Sequence, residues 1–105
     1  MINVKYDDQR VSQEEITVLG NVLKQIVSKA THIPEVFVYG DSPRIKIAVA
    51  PIEVFIEMSE EKIQDKEALF LDIKNRFVEW KNQNGFDHSV TITLIPMQWK
   101  FETNL

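Results

Sequence analysis

Two basic side chains alternate along a short stretch of the chain and are well suited to bind an anion. Arg44 and Lys46 fall on one side of residues 44–49, where the intervening residues are apolar. They would place two positive groups over an anionic substrate, and arginine suits carboxylates because its planar fork can bond bidentately. In the alternative interpretation, both cations pair with Glu53 and Glu57 across the sheet or a subunit boundary.

Acidic and imidazole side chains give weaker indications of chemistry. Glu53 and Glu57 share one face of a predicted strand, which suits a metal ion or an acid–base pair, but no His or Asp lies beside them in the sequence. His32 and His88 each follow a predicted helix, and both are interpreted as loop residues. The sequence contains no HExxH motif, no glycine-rich phosphate loop and no GxSxG motif. It therefore predicts neither a metal site nor a cofactor.

The end of the chain is rich in apolar and aromatic residues. Met97, Trp99 and Phe101 lie outside the regular strand pattern and are candidates for the wall of an apolar pocket beside a substrate. The alternative is packing on a neighbouring subunit, the commoner use of such residues. Phe55, on an otherwise polar face of the predicted sheet, favours the same alternative.

Composition and charge exclude several classes of protein. The length of 105 residues predicts a single domain over residues 1–105. A net charge of -4 argues against nucleic-acid binding, because affinity for phosphate depends on concentrated Lys and Arg. No apolar run approaches the roughly 20 residues of a membrane helix, so we expect a cytoplasmic protein without membrane association. The absence of cysteine excludes disulfides and thiolate catalysis.

The first part of the chain predicts a strand, a helix and a second strand. Apolar residues alternate with polar ones over residues 2–6, as in a strand with one buried face. Ser12 followed by Glu15 has the form of a capping box, which predicts a helix start. Pro34 prevents the helix from continuing. The next strand is predicted over residues 36–39.

The remainder of the chain predicts a similar series. Residues 44–49 alternate as a third extended piece, hairpin-paired with its neighbour, and residues 52–58 alternate as a strand. Ser59-Glu60-Glu61 is predicted to open a long second helix, and Asn84-Gly85 to end it. The last strand is predicted over residues 89–95.

The two parts predict an α+β fold with an internal repeat. Residues 2–39 and 52–96 each run strand, serine-led polar step, helix and strand, with Ser12 and Ser59 at equivalent points. Two such β-α-β repeats form a four-stranded mixed sheet with two helices on one face. The uncovered face would carry Asn3, Lys5, Arg44, Lys46, Glu53, Phe55, Glu57, Thr91 and Thr93. A ferredoxin-like sandwich and a tautomerase-type β-α-β repeat share this order of elements.

Short motifs favour the tautomerase type. The stretch from Pro51 through Glu53-Val54 to Gln64-Asp65-Lys66 resembles a small bacterial family of unassigned function. That family is allied to the 4-oxalocrotonate tautomerase and macrophage migration inhibitory factor superfamily. The closing Ile95-Pro96-Met97-Gln98, followed by an aromatic residue at Trp99 or Phe101, is similar to the same family's last strand and tail. The Lys100-Phe101 region also resembles the tail of 5-carboxymethyl-2-hydroxymuconate isomerases.

The resemblance implies a homotrimer with sites between neighbouring subunits. It also implies an amino-terminal proline that shuttles a proton between carbon and oxygen of an oxo-acid, with arginines binding the carboxylate. Arg10 lies near the position where relatives carry an arginine, although its other interpretation is a solvated loop cation. The chain departs from the pattern because Met1 is followed by Ile2, and no proline occurs before Pro34. With Met1 retained, the terminal group is a primary amine, a weak base near neutrality.

The predicted protein is a tautomerase-like homotrimer that binds or isomerises a small oxo-acid carboxylate at a subunit interface. Met1 is the predicted catalytic group. The residues predicted to surround the ligand are Ile2, Arg10, Arg44, Lys46, Met97, Trp99 and Phe101. The alternative is a ferredoxin-like α+β module that binds or assembles without catalysis.

Overall fold

The chain folds into a four-stranded sheet with two long helices in a computed structural model that describes residues 1–98 and 102–105. The elements are β1 (Ile2–Tyr6), α1 (Gln13–Thr31), β2 (Val38–Asp41), β3 (Ile52–Ser59), α2 (Lys66–Asn84) and β4 (Val90–Met97). The strand order is β2-β1-β3-β4. The outer pairs are parallel and the central β1–β3 pair is antiparallel. The predicted mixed sheet of two β-α-β repeats is confirmed.

Direct pairing within each repeat distinguishes the two candidate architectures. A ferredoxin-like sandwich splits its βαβ unit with another strand. Here β1 pairs directly with β2, with Ile2 opposite Val38, and β3 pairs directly with β4, with Ile52 opposite Val90. The fold is therefore the tautomerase type.

The hydrophobic core lies between one face of the sheet and the two helices. Ile2 lies opposite Ile56 and Val4 opposite Val54, so the apolar sides of both central strands share this face. The helices cover it with buried residues that include Leu19, Leu23, Ile73 and Phe77. The intervening strand residues form the other face, here named the open sheet face: Asn3, Lys5, Glu53, Phe55, Glu57, Thr91 and Thr93.

Helix α1 begins as the sequence predicts. The hydroxyl oxygen of Ser12 accepts a hydrogen bond from the Glu15 N–H at 3.1 Å, and the Ser12 N–H donates to Oε1 of Glu15 at 3.0 Å. Each residue satisfies a backbone donor that the first helical turn leaves free. The predicted capping box is confirmed.

Helix α2 begins six residues later than predicted, with its cap at Asp65 instead of Ser59. Strand β3 continues to Ser59, a single 3₁₀ turn follows at Glu60–Lys62, and Ser59 makes no side-chain capping bond. The helix begins at Lys66, where Oδ1 of Asp65 accepts the Ala68 N–H at 3.1 Å. The predicted equivalence of Ser12 and Ser59 as helix starts is wrong, because an aspartate caps the second helix.

The predicted strand over residues 44–49 is also wrong. Residues 42–50, here named the crossing segment, are irregular and run past the end of β1. The Lys46 ammonium donates to Oδ1 of Asp8 at 2.7 Å, and the Arg10 guanidinium donates to the Val49 carbonyl. These bonds tie the segment to the β1–α1 connection, so it makes no hairpin. Arg44 and Lys46 consequently do not lie on the open sheet face.

The remaining boundaries differ by one or two residues from the predicted ones. Strand β2 begins at Val38 and not at Val36, whose side chain is buried in the core instead. Strand β4 extends to Met97. Helix α2 ends at Gly85 as predicted, with a φ of 62° that glycine adopts without strain. Among the described residues, no helix is both long and apolar enough to cross a membrane.

Candidate functional site

The α-amino group of Met1 lies at the end of the sheet where β1 begins and β3 ends. It donates a hydrogen bond to the Glu57 carbonyl at 2.8 Å, and the Glu57 N–H donates to the Met1 carbonyl at 2.8 Å. The two bonds extend the antiparallel ladder one residue beyond the Ile2–Ile56 pair. The backbone of β3 therefore fixes the position of the amine.

Two opposing effects act on the basicity of this amine. Burial lowers the pKa of the Met1 amine from its ordinary value of 8.0, and the charge of the Glu57 carboxylate partly raises it again. That carboxylate is itself held by Asn3, whose Nδ2 donates to Oε1 of Glu57 at 3.0 Å. A lowered pKa increases the neutral fraction at neutral pH, and a neutral amine can accept a proton as a general base.

Strand β4 brings Met97 to the same end of the sheet. Ile95 lies opposite Glu57, and Met97 lies opposite Ser59 two residues further along. The side chain of Met97 is half-buried. Trp99 and Phe101, the other two predicted pocket residues, lie outside the described residues. Of the predicted tail, the structure thus places Met97 at the same end of the sheet as the amine, with β3 between them.

A polar cluster adjoins this end of the sheet. Nε2 of Gln98 donates to Oε2 of Glu60 at 2.8 Å, and the Lys66 ammonium lies 3.0 Å from Oε1 of Glu60. The hydrogen bond from Gln98, followed by the contact with Lys66, lowers the pKa of the Glu60 carboxyl. The cluster links the residue after β4 to the turn that precedes α2.

Ile2 occupies the core. Its side chain is fully buried, and its N–H donates to the Phe37 carbonyl at 2.8 Å. Within one chain the residue therefore positions Met1, and its side chain packs beneath the helices.

The predicted cations lie at the opposite end of β1. Nε of Arg10 lies 2.7 Å from Oδ2 of Asp7, and this hydrogen bond is the main reason that the Asp7 pKa is lowered. Lys46 forms an ion pair with Asp8, and Arg44 is exposed on the crossing segment. A single chain therefore brings neither Arg10, Arg44 nor Lys46 to the Met1 amine.

Glu57 is the residue beside the amine that was not among the predicted site residues. The sequence pattern placed Glu53 and Glu57 on one face of β3. Glu57 is distinguished from Glu53 by the antiparallel pairing of β1 with β3, which sets Met1 beside Glu57. Among residues 1–98 and 102–105, no group of three His, Asp or Glu side chains could hold a metal ion. His32 caps the end of α1, and Nε2 of His88 contacts Oε2 of Glu15 at 2.6 Å.

Comparisons with known proteins establish the fold. No family model and no curated protein matches the sequence. Among solved structures, malonate semialdehyde decarboxylase matches with a TM-score of 0.73 and 10% identity, over 100% of this chain and 92% of that one. A domain of unknown function, DUF1904, from Sebaldella termitidis matches with a TM-score of 0.63 and 16% identity, over 99% and 95% of the two chains.

A third structure adds an assembled example. A fused 4-OT, described as a symmetric trimer, matches with a TM-score of 0.56 and 18% identity, over 98% of this chain and 91% of that one. All three belong to the tautomerase superfamily. The predicted resemblance is confirmed at the level of the fold.

Proposed function

We propose that the protein binds and isomerises a small oxo-acid at the end of the sheet where Met1 lies. The observation that supports this function best is the amine itself, which burial makes less basic and β3 holds in place. In the proposed reaction, the Met1 primary amine replaces the secondary amine of an amino-terminal proline.

The proposed chemistry is a proton transfer that needs no cofactor. The neutral Met1 amine takes the hydroxyl proton of an enol, the C–O bond becomes a carbonyl, and the ammonium returns the proton to carbon. Charge on the amine changes during the cycle, and the Glu57 carboxylate stabilises the ammonium. Asn3 keeps that carboxylate beside the terminus, with 3.0 Å between Nδ2 and Oε1.

A carboxylate substrate also requires a cation, and a homotrimer would supply one from a neighbouring copy. Arg44 is the predicted cation most available for this role, because Arg10 is engaged with Asp7 and Lys46 with Asp8. The symmetric trimer of the fused 4-OT supports this part of the proposal. The proposal keeps the single domain and the cytoplasmic location that the sequence predicts.

Chemical removal of the amine tests the catalytic part. Transamination with pyridoxal phosphate converts a terminal amine to a carbonyl and leaves lysines unchanged, and turnover of 2-hydroxymuconate and of the enol of phenylpyruvate is then followed by absorbance. We expect the modified protein to lose roughly 100-fold or more in rate, the usual contribution of a general base. The Lys5→Met variant is treated in the same way. It shows whether any loss of rate comes from reaction of the reagent with Lys5, which lies on the open sheet face.

Two results would contradict the proposal. One is equal turnover before and after transamination, and the other is the absence of both turnover and oxo-acid binding in the unmodified protein. Circular dichroism before and after the treatment shows whether the fold survives it.

A further inference from the structure

A cavity of about 350 Å³ lies between the first half of α1 and the parallel strands β1 and β2. Among the described residues, neither Met1 nor Glu57 contributes to its wall, so the cavity is separate from the proposed oxo-acid site. Val4, Ile16 and Val38 form the apolar part of the wall. Its volume is at the lower end of the roughly 300–1,000 Å³ of ligand sites in proteins, which suits a small molecule.

Two glycines fix the packing of helix and strand around the cavity. A β-carbon at Gly20 would lie 3.3 Å from Cγ1 of Val38, and one at Gly40 would lie 3.2 Å from Cγ2 of Ile16. Both distances are shorter than an ordinary contact between carbon atoms. Helix α1 therefore approaches β2 more closely than side chains at these positions would allow, and the wall of the cavity is formed by packed elements.

Helix α1 places three uncharged polar side chains along one side of the cavity. Gln13, Thr17 and Asn21 lie four residues apart, so they share one face of the helix. The Thr17 hydroxyl donates to the Gln13 carbonyl at 2.9 Å, which leaves its oxygen as an acceptor. Each of the two carboxamides offers both donors and an acceptor. This side of the cavity can therefore bind a ligand edge that carries both kinds of group.

Tyr6 adds a hydroxyl group from β1. The residue is only 8% exposed and lines the cavity. The residues that the structure describes provide no hydrogen-bond partner for this hydroxyl, yet every fully buried polar side-chain atom among them has one. The hydroxyl oxygen is therefore not fully buried, and the surface that Tyr6 reaches is the cavity wall. Because the hydroxyl of a buried tyrosine usually has a partner, a ligand in the cavity would supply the one that is missing.

Charge separates this cavity from a site for an oxo-acid or a phosphate. Among the described residues that form its wall, no side chain is that of Asp, Glu, His, Lys or Arg. An anion in the cavity would lose part of its hydration without gaining a cation in exchange. The lining therefore favours an uncharged ligand.

We propose that the cavity binds a small, uncharged ring compound whose edge carries a hydrogen-bond donor beside an acceptor, as nucleobases and their nucleosides do. The Asn21 carboxamide pairs with this edge, because asparagine and glutamine present the complementary donor and acceptor that bind adenine. The Tyr6 hydroxyl gains its partner from the ligand, and the ring packs against Ile16 and Val38. A nucleoside is accepted and its phosphate ester is disfavoured, because the wall supplies no cation.

Titration with neutral nucleosides tests the class of ligand. Adenosine, guanosine, cytidine and uridine are each titrated into the protein by isothermal titration calorimetry. At least one should bind with a dissociation constant on the order of 100 µM. Its 5′-monophosphate should bind roughly 10-fold or more weakly, because the added charge has no partner. No binding of any nucleoside, or equal binding of the nucleoside and its monophosphate, would overturn the inference.

Two substitutions test the position of the site. Asn21→Leu should weaken binding roughly 10-fold, whereas Asn82→Leu, at an exposed position of α2 outside the cavity, should bind as the wild type does. Tyr6→Phe should weaken binding roughly 3- to 10-fold. Its urea midpoint should stay at the wild-type value, because the free protein loses no hydrogen bond. Wild-type affinity in both Asn21→Leu and Tyr6→Phe would place the ligand elsewhere and overturn the inference.

The transaminated protein separates this inference from the proposed function. The Met1 amine does not line the cavity, so its removal should leave nucleoside binding unchanged while oxo-acid turnover is lost. A loss of nucleoside binding on transamination would show that the nucleoside occupies the oxo-acid site, and it would overturn the proposal of a separate cavity.

Discussion

The chemistry at the residue scale depends on a primary amine and a carboxylate that the backbone brings together. Met1 and Glu57 exchange backbone hydrogen bonds at 2.8 Å, and Asn3 holds the Glu57 side chain. Burial lowers the amine pKa and the carboxylate opposes this effect, so the balance between them sets the fraction of neutral amine. Substitution of the carboxylate should change that balance in a defined direction.

The Glu57→Gln variant should lower the pKa of the Met1 amine further. The carboxylate raises this pKa in the wild type, so its removal leaves the lowering by burial unopposed. The rate of amine acetylation, followed by mass spectrometry against pH, should rise at a lower pH than in the wild type. Glu53→Gln is the control, because Glu53 lies on the same face opposite Lys5. An unchanged or upward-shifted profile for Glu57→Gln would refute the assigned role.

Placing a proline at position 2 should unfold the protein and not create a tautomerase. Ile2 is fully buried and its N–H donates to Phe37, and proline removes both the core side chain and the donor. The Ile2→Pro variant should lose roughly 3 kcal/mol or more of unfolding free energy, against about 1 kcal/mol for Ile2→Val. Urea denaturation measures both. A stable Ile2→Pro protein would show that the first strand is less constrained than the structure indicates.

The Arg10–Asp7 pair should make the protein sensitive to acid. The Asp7 pKa is lowered from 3.8 in the folded state, chiefly by the Arg10 hydrogen bond. A depressed carboxyl pKa stabilises the fold above the ordinary value, and this stabilisation is lost as pH falls through the folded value. Arg10→Gln should therefore reduce the difference between urea midpoints at about pH 7 and about pH 3. The exposed Arg76, paired with Asp72 at 2.8 Å, provides the control variant Arg76→Gln, for which the difference should stay near wild type.

At the scale of the elements, the two helix starts show which local sequence signals predict a helix correctly. Ser12 and Glu15 satisfy each other's backbone donors, whereas Ser59 ends a strand and makes no capping bond. Both serines precede glutamates in the sequence. The difference arises because β3 stays paired with β4 as far as Ser59. Pairing with a neighbouring strand outweighs a local preference for a helix start.

Matched alanine substitutions measure this difference. Ser12→Ala should lower the unfolding free energy by about 1 kcal/mol, because the capping bond to Glu15 is lost. Ser59→Ala should cost only a few tenths of a kcal/mol, as for a surface site without such a bond. Equal losses for the two variants in urea denaturation would contradict the assignment of Asp65 as the cap of α2.

At the scale of the whole molecule, the proposed site depends on the assembly of several copies of the chain. One chain places the Met1 amine and the predicted cations at opposite ends of β1, so a site with both requires another copy. Association of copies should stabilise the folded chain by mass action.

The melting temperature of the wild type should consequently rise with protein concentration. A folded trimer that dissociates on unfolding gains stability as its concentration increases. Differential scanning fluorimetry over a hundredfold range of concentration makes the measurement. A wild-type melting temperature independent of concentration would contradict the proposed assembly.

Hydrophobic periodicity determined the order of elements and the buried faces. Alternation over residues 2–6 and 52–58, and the helical spacing that follows each of these strands, predicted two β-α-β repeats and the strand residues of the open sheet face. Arg44 and Lys46, which were also predicted on that face, lie elsewhere. These patterns are local, because each strand or helix must bury one side wherever it packs. The capping box at Ser12 and the stop at Gly85 were predictable for the same reason.

The features that depend on long-range contacts could be determined only from the tertiary structure. Residues 44–49 alternate as a strand does, but Lys46 binds Asp8 and Arg10 binds Val49, so they form a loop. The same structure set Glu57 beside Met1 through an antiparallel pairing of distant strands. Periodicity records which side of a segment is apolar, whereas strand partners and ion pairs depend on residues that are distant in the sequence.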